Sequence, residues 1–281
     1  MLFEILHETE YSYDEEVFLE PHYLRFKPKS SAHSQIQNFE FRLGPETAGI
    51  SEHLDVEENH IVFCWFEGQS KLMTISARSE IEVREYNPLN FLVNPAEYLD
   101  LPFEYNDHEK KLLQASLLTE ALPSELNDFN RDLLSDANNK TVDYITGLTR
   151  QINNEFTLQS RIEGAPHQPG ITFNDKAGSC RDLAWMQIHL LRNTGIAARF
   201  VSGYYYIDSE NPEFELHAWT EAYIPGGGWI GLDPGHGILT SQHHFPVASS
   251  AFYERTMPVS GSFRGNAKSK LHHDLKITRI N

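Results

Sequence analysis

A chain of 281 residues, 40% hydrophobic and 22% charged, is long enough to bury one large core or two smaller ones. Its 40 acidic residues against 23 lysines and arginines give a net charge of −17, which disfavours nucleic acid and anionic membranes as partners. No apolar run approaches the ~20 residues that span a bilayer. The acidic start MLFEILHETEYSYDEE lacks the basic segment of a signal peptide, so we expect a cytoplasmic protein.

Residues 1–86 are predicted to form a β-rich, sandwich-like N-terminal domain. Alternating segments such as FEILHETEYSY and KLMTISARSEIEV predict strands, with the turn signals PETAG and EGQS between strands. Cys64, in the apolar run IVFCWF, is expected to be a buried thiol. Two cysteines are too few for a disulfide framework. No catalytic spacing occurs here, so we expect the domain to bind a partner or to cover the site of the next domain.

The second domain is predicted to span residues 87–281, after the proline-punctuated connector NPLNFLVNP. Apolar residues at helical spacing predict three helices over 107–158, the first capped by Asp107 and the second beginning at Ser124. Residues 160–245 are expected to form the core of this domain. The alternation in KLHHDLKITRIN predicts its last strand.

The stretch GSCRDLAW places Cys180 where a loop turns into a helix. Apolar residues at helical spacing over 180–193, with Gly195 after the last turn, predict that helix. The unpaired N–H groups and the positive dipole end of a helix start stabilise a thiolate. Asp182 in the first turn opposes this effect unless its side chain points to the flank. A small packed thiol is the alternative interpretation.

A nucleophilic cysteine needs a base, and the base needs an acceptor that orients it. His217, in ELHAWTEAY, and Asp233, at the end of WIGLD, are candidates on neighbouring strands. If the PGGG turn is a simple four-residue loop, Asp233 lies opposite Thr220 and on the wrong face. A bulge supplied by the glycines would shift that parity. Trp219 shares the face of His217 and is a candidate for lining and shielding the site.

These segments, GSCRDLAWMQIHLLRNTGIAARFVSGY and LHAWTEAYIPGGGWIGLDP, resemble the bacterial branch of the transglutaminase-like superfamily, which is related to papain-like cysteine proteases. The match is dense over 178–235, and the β-rich start resembles the N-terminal domain that often precedes this core. The resemblance implies an α+β fold in which the cysteine-bearing helix packs on an antiparallel sheet. It implies a catalytic triad of Cys180, His217 and Asp233. Gly235 departs from the family, which commonly has Thr or Ser after Asp-Pro.

The chemistry that the resemblance implies is acyl transfer on an amide of a protein or peptide, through a thioester. We expect hydrolysis, with an amine-acceptor transglutaminase as the alternative, and no cofactor. The backbone N–H of Cys180 is one candidate oxyanion donor, and Asn174 is the other, although FNDK also reads as a loop turn. Tyr204 is a candidate for lining the substrate site, with Trp219. A catalytically silent peptide-binding module of the same fold is the alternative from another class.

The histidines near the end of the chain suggest a metal site as a further interpretation. His236 and the pairs at 243–244 and 272–273 provide imidazoles. Neither pair has the i, i+4 spacing of an HExxH motif, and adjacent side chains on a strand or helix diverge. We therefore expect no metal.

Overall fold

The computed structural model describes residues 1–161 and 163–280, which form a mixed α and β fold with a sheet-rich N-terminal region, as predicted. No helix in these residues combines the length and the apolar character needed to cross a bilayer. The strands are β1 (Leu2–Leu19), β2 (His22–Leu24), β3 (Ser34–Gly44), β4 (Gly49–Leu54), β5 (His60–Trp65), β6 (Ser70–Val83), β7 (Thr157–Leu158), β8 (Ala177–Gly178), β9 (Ala198–Ile207), β10 (Glu213–Ile224), β11 (Gly228–Asp233), β12 (Ile238–Leu239), β13 (His244–Ser250), β14 (Val259–Ser260), β15 (Phe263–Arg264) and β16 (Ser269–Arg279). The α-helices are α1 (Asp107–Leu112), α2 (Ser124–Asp136), α3 (Thr141–Glu155), α4 (Pro169–Asp175) and α5 (Cys180–Asn193), and short 3₁₀ helices span Ala96–Leu99, Gln114–Leu117 and Tyr253–Thr256.

The N-terminal region is a two-layer β structure. One sheet has the order β15-β1-β6-β3 with β16 also on β1, and the other has the order β14-β2-β5-β4. Leu24 and Cys64 from one sheet pack with Val17 and Ile75 from the other in a single buried cluster. Cys64 is fully buried, so the prediction of a buried core thiol is confirmed, and this burial raises the pKa of the thiol to about 11.

The last strand returns to this N-terminal region. Strand β16 pairs antiparallel with β1 from Phe3↔Arg279 to Tyr13↔Ser269, and it buries Leu275. The predicted strand is present, but our assignment of it to the second domain does not fit this pairing. Strand β16 thus covers the edge of β1 that does not face β6, where backbone N–H and C=O groups would otherwise lack partners. Residue 281, the predicted end of the domain, lies outside the described residues, and the boundary after residue 86 stays a prediction.

The first sheet also packs on the second domain. Phe3 of β1 contacts Tyr206 and Phe245 edge to face, with 5.2 Å between ring centroids in both pairs, and Ile5 joins the same buried cluster. Aromatic pairs of this geometry add to the apolar burial. The N-terminal sheet is therefore held directly against β9 and β13, next to the site described below.

The second domain contains an antiparallel sheet in the order β12-β11-β10-β9-β13, with α5 packed on β10 and β9. Every residue of α5 from Asp182 to Arg192 is buried, as expected for a helix enclosed on all sides. Gln187 in its middle donates to the Thr149 hydroxyl at 2.7 Å. The predicted arrangement, a cysteine-bearing helix packed on an antiparallel sheet, is confirmed.

Two helix starts differ from the predictions. Asn106, not Asp107, caps α1, because its side-chain oxygen accepts from the backbone N–H groups of His108 and Glu109. Helix α4 occupies a segment that the sequence predicts as loop, and Pro169 opens it, where a missing N–H is tolerated. Helix α2 begins at Ser124 as predicted.

Candidate active site

Cys180 is the first residue of α5, and Ser179 caps the helix. The Asp182 carboxylate accepts from the Ser179 backbone N–H and hydroxyl, both at 2.7 Å. This is a capping box with aspartate in the position usually taken by glutamate or glutamine. The thiol therefore lies at the helix end where N–H groups lack intrahelical acceptors.

Asp182 also ties the preceding loop to the start of α5. Its other oxygen accepts from the Arg161 guanidinium at 2.6 Å and from the His167 backbone N–H at 2.7 Å, and its side chain is fully buried. Burial alone would raise the pKa of Asp182, but the four hydrogen bonds and the Arg161 charge hold it below its usual value. The negative charge in the first turn is thus directed to the flank of the helix start.

The turn between β10 and β11 decides the face on which Asp233 lies. Ile224 pairs with Gly228, so three residues form the turn, and Thr220 lies opposite Leu232. Gly226 has φ +88°, as the third position of a type II turn requires. The register is therefore the shifted one, and Asp233 falls on the same face as His217.

His217 and Asp233 form a buried pair. His217 Nε2 lies 2.8 Å from Asp233 Oδ2, and neither side chain is exposed. Burial alone would lower the pKa of His217, but the Asp233 charge and hydrogen bond raise it well above its usual value. Burial would raise the pKa of Asp233, but the charge of His217 and hydrogen bonds from neighbouring imidazoles hold it well below its usual value.

The second ring nitrogen of His217 faces the nucleophile. Because Asp233 engages Nε2, Nδ1 is left for Cys180, whose thiol interacts with the imidazole and contributes to its raised pKa. Glu215 Oε1 lies 3.0 Å from the same Nδ1. Neither neighbour is aligned for a regular hydrogen bond, so Nδ1 is buried without a well-placed partner. Cys180 itself is partly exposed.

Asp233 is shared by three imidazoles rather than one. His236 Nδ1 and His244 Nε2 lie 3.0 and 3.1 Å from the same Oδ2 that His217 contacts. Tyr205 stacks on His244 with 4.1 Å between ring centroids. From the sequence, His236 and His244 are candidates only for metal binding. The turn after β11 brings His236 to Asp233, and β13 brings His244 there, and neither contact can be predicted from the spacing of the histidines.

Glu215 is a further site residue that the sequence analysis missed. It lies two residues before His217 on β10, so both side chains point to the same face of the strand. Its Oε1 is also 3.6 Å from His236 Nε2. Burial would raise the pKa of Glu215, but the two imidazoles lower it below its usual value.

Cys180 and His217 open into one cavity of about 500 Å³. Tyr204, predicted to line the substrate site, is in its wall. The N-terminal region closes the opposite side, so the expectation that this region covers the site agrees with the structure. Its first strands and the loop after β2 contribute His7, Thr9, Tyr11 and Arg25 to the wall. The C-terminal strands that pair with this region contribute Val259 of β14 and Leu271, His273, Asp274 and Leu275 of β16.

Comparison with known proteins identifies the family and the fold. Residues 3–82 match the family model of the bacterial transglutaminase-like N-terminal region, and residues 127–234 match that of the transglutaminase-like superfamily. This chain belongs to the transglutaminase-like superfamily. The crystal structure of a "putative cysteine protease" from Cytophaga hutchinsonii shares the fold, with a TM-score of 0.72 at 18% identity, over 100% of this chain and 92% of that one.

Relatives of this transglutaminase-like protein differ in the share of each chain that matches. An uncharacterized protein of Mycobacterium tuberculosis is 24% identical over 286 residues, which cover 96% of this chain and 90% of the relative. An uncharacterized protein of Mycobacterium leprae is 30% identical over 108 residues, 37% of this chain and 38% of the relative. The protein-glutamine gamma-glutamyltransferase of Pseudomonas aeruginosa is 30% identical over 105 residues, 34% of this chain but only 16% of that protein.

Two predicted site residues of this transglutaminase-like chain are not where we expected them. Trp219 is buried and does not line the Cys180 cavity; its ring packs beside His217 and His244, at 6.1 and 5.4 Å between centroids. It therefore supports the imidazoles from behind. Asn174 lies in α4 rather than in a loop, and its exposed side chain is not among the described lining residues. The structure gives no support for Asn174 as an oxyanion donor.

Gly235 is the position at which this chain departs from the superfamily pattern. Its backbone N–H donates to Asp233 Oδ1 at 3.0 Å, so the turn after β11 still orients the carboxylate. A β-carbon at this position would lie 3.3 Å from Asp233 Oδ1 and 3.5 Å from His217 Cε1. The glycine thus leaves a small space beside the pair and keeps the pair intact.

Two groups of side chains in the described part of the chain bring three metal-ligating atoms within 4.8 Å of one another. One is Glu215, His217 and His236; the other is His217, Asp233 and His244. The adjacent pair His243 and His244 does not act as a unit, because His244 turns to Asp233 while His243 approaches Asp208 at 3.7 Å.

Proposed function

We propose that this chain is an enzyme that hydrolyses an amide of a protein or peptide through a thioester on Cys180. The observation that carries the proposal is the arrangement around His217. One ring nitrogen is bound to buried Asp233 at 2.8 Å, and the other faces a thiol at the start of α5, in the wall of a cavity. A nucleophile, a base and a group that orients the base are the parts that nucleophilic catalysis requires.

In the acylation step, His217 takes the proton of the Cys180 thiol. The thiolate attacks the carbonyl carbon, the C–N bond breaks, and His217 gives its proton to the leaving amine. Asp233 suits this role because it stays ionised and stabilises the imidazolium. The backbone N–H of Cys180, at the first turn of α5, is a donor for the oxyanion.

In the second step an acceptor attacks the thioester, His217 takes the proton of the acceptor, and the C–S bond breaks. We favour water because Cys180 remains partly exposed in its cavity, where water can reach the thioester. A primary amine is the alternative acceptor, and the local similarity to the Pseudomonas aeruginosa protein-glutamine gamma-glutamyltransferase favours it. Water gives a carboxylic acid, and an amine gives a new amide.

A proteome-derived peptide library tests the proposal. It is incubated with wild type or with Cys180→Ala, with and without a biotinylated primary amine, and analysed by mass spectrometry. We expect new peptide termini or loss of side-chain amide only with wild type. Incorporation of the biotinylated amine instead would assign the amine as acceptor.

Cys64→Ala is the matched control, because it removes the other thiol of the chain, which is buried away from the cavity. We expect it to retain turnover wherever it is folded. Equal turnover by wild type and Cys180→Ala would contradict the proposal. A wild type that binds peptides without converting them would instead favour a catalytically silent binding module.

A further inference from the structure

We propose that Glu215, His217, His236 and Cys180 form a site for a zinc-class divalent cation, which covers the nucleophile. That such an ion would inhibit the enzyme rests on the proposed function. Binding of the ion itself does not.

Two buried polar atoms point into this site without a regular partner. In the described part of the chain, neither His217 Nδ1 nor Glu215 Oε1 has an aligned hydrogen bond, although both atoms are inaccessible to solvent. The His217 side chain is 0% exposed. A buried donor or acceptor without a partner destabilises the fold, so a ligand that satisfies both atoms at once would be favoured.

The spacing of the three atoms fits one small cation. Glu215 Oε1 lies 3.0 Å from His217 Nδ1 and 3.6 Å from His236 Nε2, and all three lie within 4.8 Å of one another. Zinc–nitrogen and zinc–oxygen bonds of about 2.0–2.1 Å in tetrahedral geometry place neighbouring ligand atoms about 3.3 Å apart. The three atoms are thus close to the positions that such an ion needs.

Asp233 holds the two imidazoles ready for an ion. It accepts from Nε2 of His217 and from Nδ1 of His236 through the same oxygen, which leaves the opposite nitrogen of each ring facing Glu215. A carboxylate behind a ligating imidazole is the usual outer shell of protein zinc sites. Here one carboxylate serves two imidazoles.

We infer Cys180 as the fourth ligand, and a thiolate would decide the class of metal. Its sulfur is not one of the three atoms that lie within 4.8 Å of one another, so it would reach the ion by a rotation of its side chain. Its thiol interacts with His217, so an ion on Nδ1 would lie beside the sulfur, and binding would release the thiol proton. Thiolate and imidazole ligands favour zinc and similar transition metals over magnesium or calcium, which take oxygen ligands. The side chains of Glu215 and His236 are 37% and 23% exposed, so an ion can reach the site from solvent.

The other group of three ligands carries no such inference. His217, Asp233 and His244 are fully buried, and their atoms already pair with one another. His244 Nδ1 in addition accepts from the Ser241 backbone N–H at 3.2 Å. An ion there would have to break these hydrogen bonds.

Zinc binding to the full chain is measured after treatment with a chelator, by competition with a chromophoric chelator. We expect one Zn²⁺ per chain. Glu215→Gln and His236→Gln should each weaken binding at least about tenfold, and both side chains are partly exposed, so both variants should fold. His272→Gln, which removes an exposed histidine of β16, is the matched control and should bind as wild type does.

Two further measurements need no substrate. With Co²⁺ as the probe, wild type should show a sulfur-to-cobalt charge-transfer band that Cys180→Ala lacks. Zn²⁺ should slow alkylation of Cys180 by iodoacetamide more than about tenfold in wild type, but not in Glu215→Gln or His236→Gln. Equal protection in all three, or absence of one-to-one binding, would overturn the site. If Zn²⁺ binds as expected and no Cys180-dependent turnover exists, the proposed function fails and the metal site stands.

Discussion

Two buried aspartates hold the candidate site together, and their surroundings differ in one respect. Asp182 at the start of α5 accepts from two backbone N–H groups, a hydroxyl and a guanidinium. Asp233 at the end of β11 accepts from three imidazoles through one oxygen, and from backbone N–H groups through the other. The donors of Asp182 keep their protons at neutral pH, whereas imidazoles exchange theirs.

This difference separates anchoring from chemistry. The hydrogen bonds of Asp182 join residues 161 and 167 to the helix that carries the thiol, so we expect its loss to reduce the stability of the fold. Asp233 sets the charge of His217, so we expect its loss to reduce the reactivity of Cys180 first. The predictions below test whether the two roles can be separated.

Asp233→Asn should have the largest effect. Burial lowers the pKa of His217, and the charge of Asp233 offsets this effect. Asparagine carries no charge, so the raised pKa of His217 should fall. Replacing the acceptor behind a catalytic histidine by its amide lowers turnover by about 10⁴-fold in a known triad, and we expect roughly 10³- to 10⁴-fold here. The measurement is turnover, and the rate of Cys180 alkylation, in protein shown to be folded.

The control for Asp233→Asn is Asp136→Asn, which changes an exposed carboxylate at the end of α2. It should leave both rates unchanged. An Asp233→Asn protein that alkylates Cys180 at the wild-type rate would show that this carboxylate does not act on the nucleophile through His217.

Asp182→Asn should cost stability instead. The amide can accept through only one oxygen, so two of the four donors lose their acceptor, and Arg161 loses its counter-charge. Breaking a buried pair by removing one partner costs about 3–5 kcal/mol; we expect roughly 3, because Arg161 is 26% exposed. Urea unfolding at pH 7 measures the change.

The different roles of Asp182 and Asp233 predict a further property of Asp182→Asn. At a temperature where the variant is folded, its Cys180 alkylation rate should stay within about tenfold of wild type, far above that of Asp233→Asn. If instead the folded variant lost alkylation as completely as Asp233→Asn does, the separation of anchoring from chemistry would be wrong.

The sequence allowed Cys180, His217 and Asp233 to be predicted as one candidate site, but not the surroundings of that site. Cys180, His217 and Asp233 lie in segments whose own residue pattern predicts a helix or a strand. The face of the sheet on which Asp233 lies depends on whether the glycine turn has three or four residues, and the turn propensities of the residues do not decide between these lengths. Glu215 could have been found, because i−2 on a strand shares the face of i.

The remaining features depend on turns and on strand pairing that the sequence does not predict. His236 and His244 reach Asp233 only through the folding of the chain after β11, and β16 leaves the second domain to pair with β1. The expectation for Asn174 rests on a spacing of six residues before Cys180, and that segment contains the short helix α4, which the spacing does not take into account.

His189 can be compared with His217, because it is also a buried imidazole but has no carboxylate beside it. It lies on α5, 1% exposed, edge to face on Trp185 at 4.6 Å, and neither ring nitrogen has a partner in the described residues. Burial, with a smaller effect of Arg192, lowers the pKa of His189 to about 4. His217, equally buried, has a raised pKa because Asp233 is present.

The pH dependence of stability should follow from that difference. Since the folded-state pKa of His189 is below the usual 6.5, the unfolded chain binds the proton first as the pH falls. This contribution to the free energy of unfolding is complete above pH 6.5 and declines towards pH 4, by about 1.4 kcal/mol per pH unit.

His189→Leu should remove this contribution, so that between pH 7 and pH 5 the variant loses about 2 kcal/mol less than wild type in urea unfolding. His272→Gln, an exposed histidine, should lose as much as wild type does. Parallel losses in wild type and His189→Leu would mean that the buried imidazole takes up its proton in the folded state, as a histidine with a carboxylate partner does.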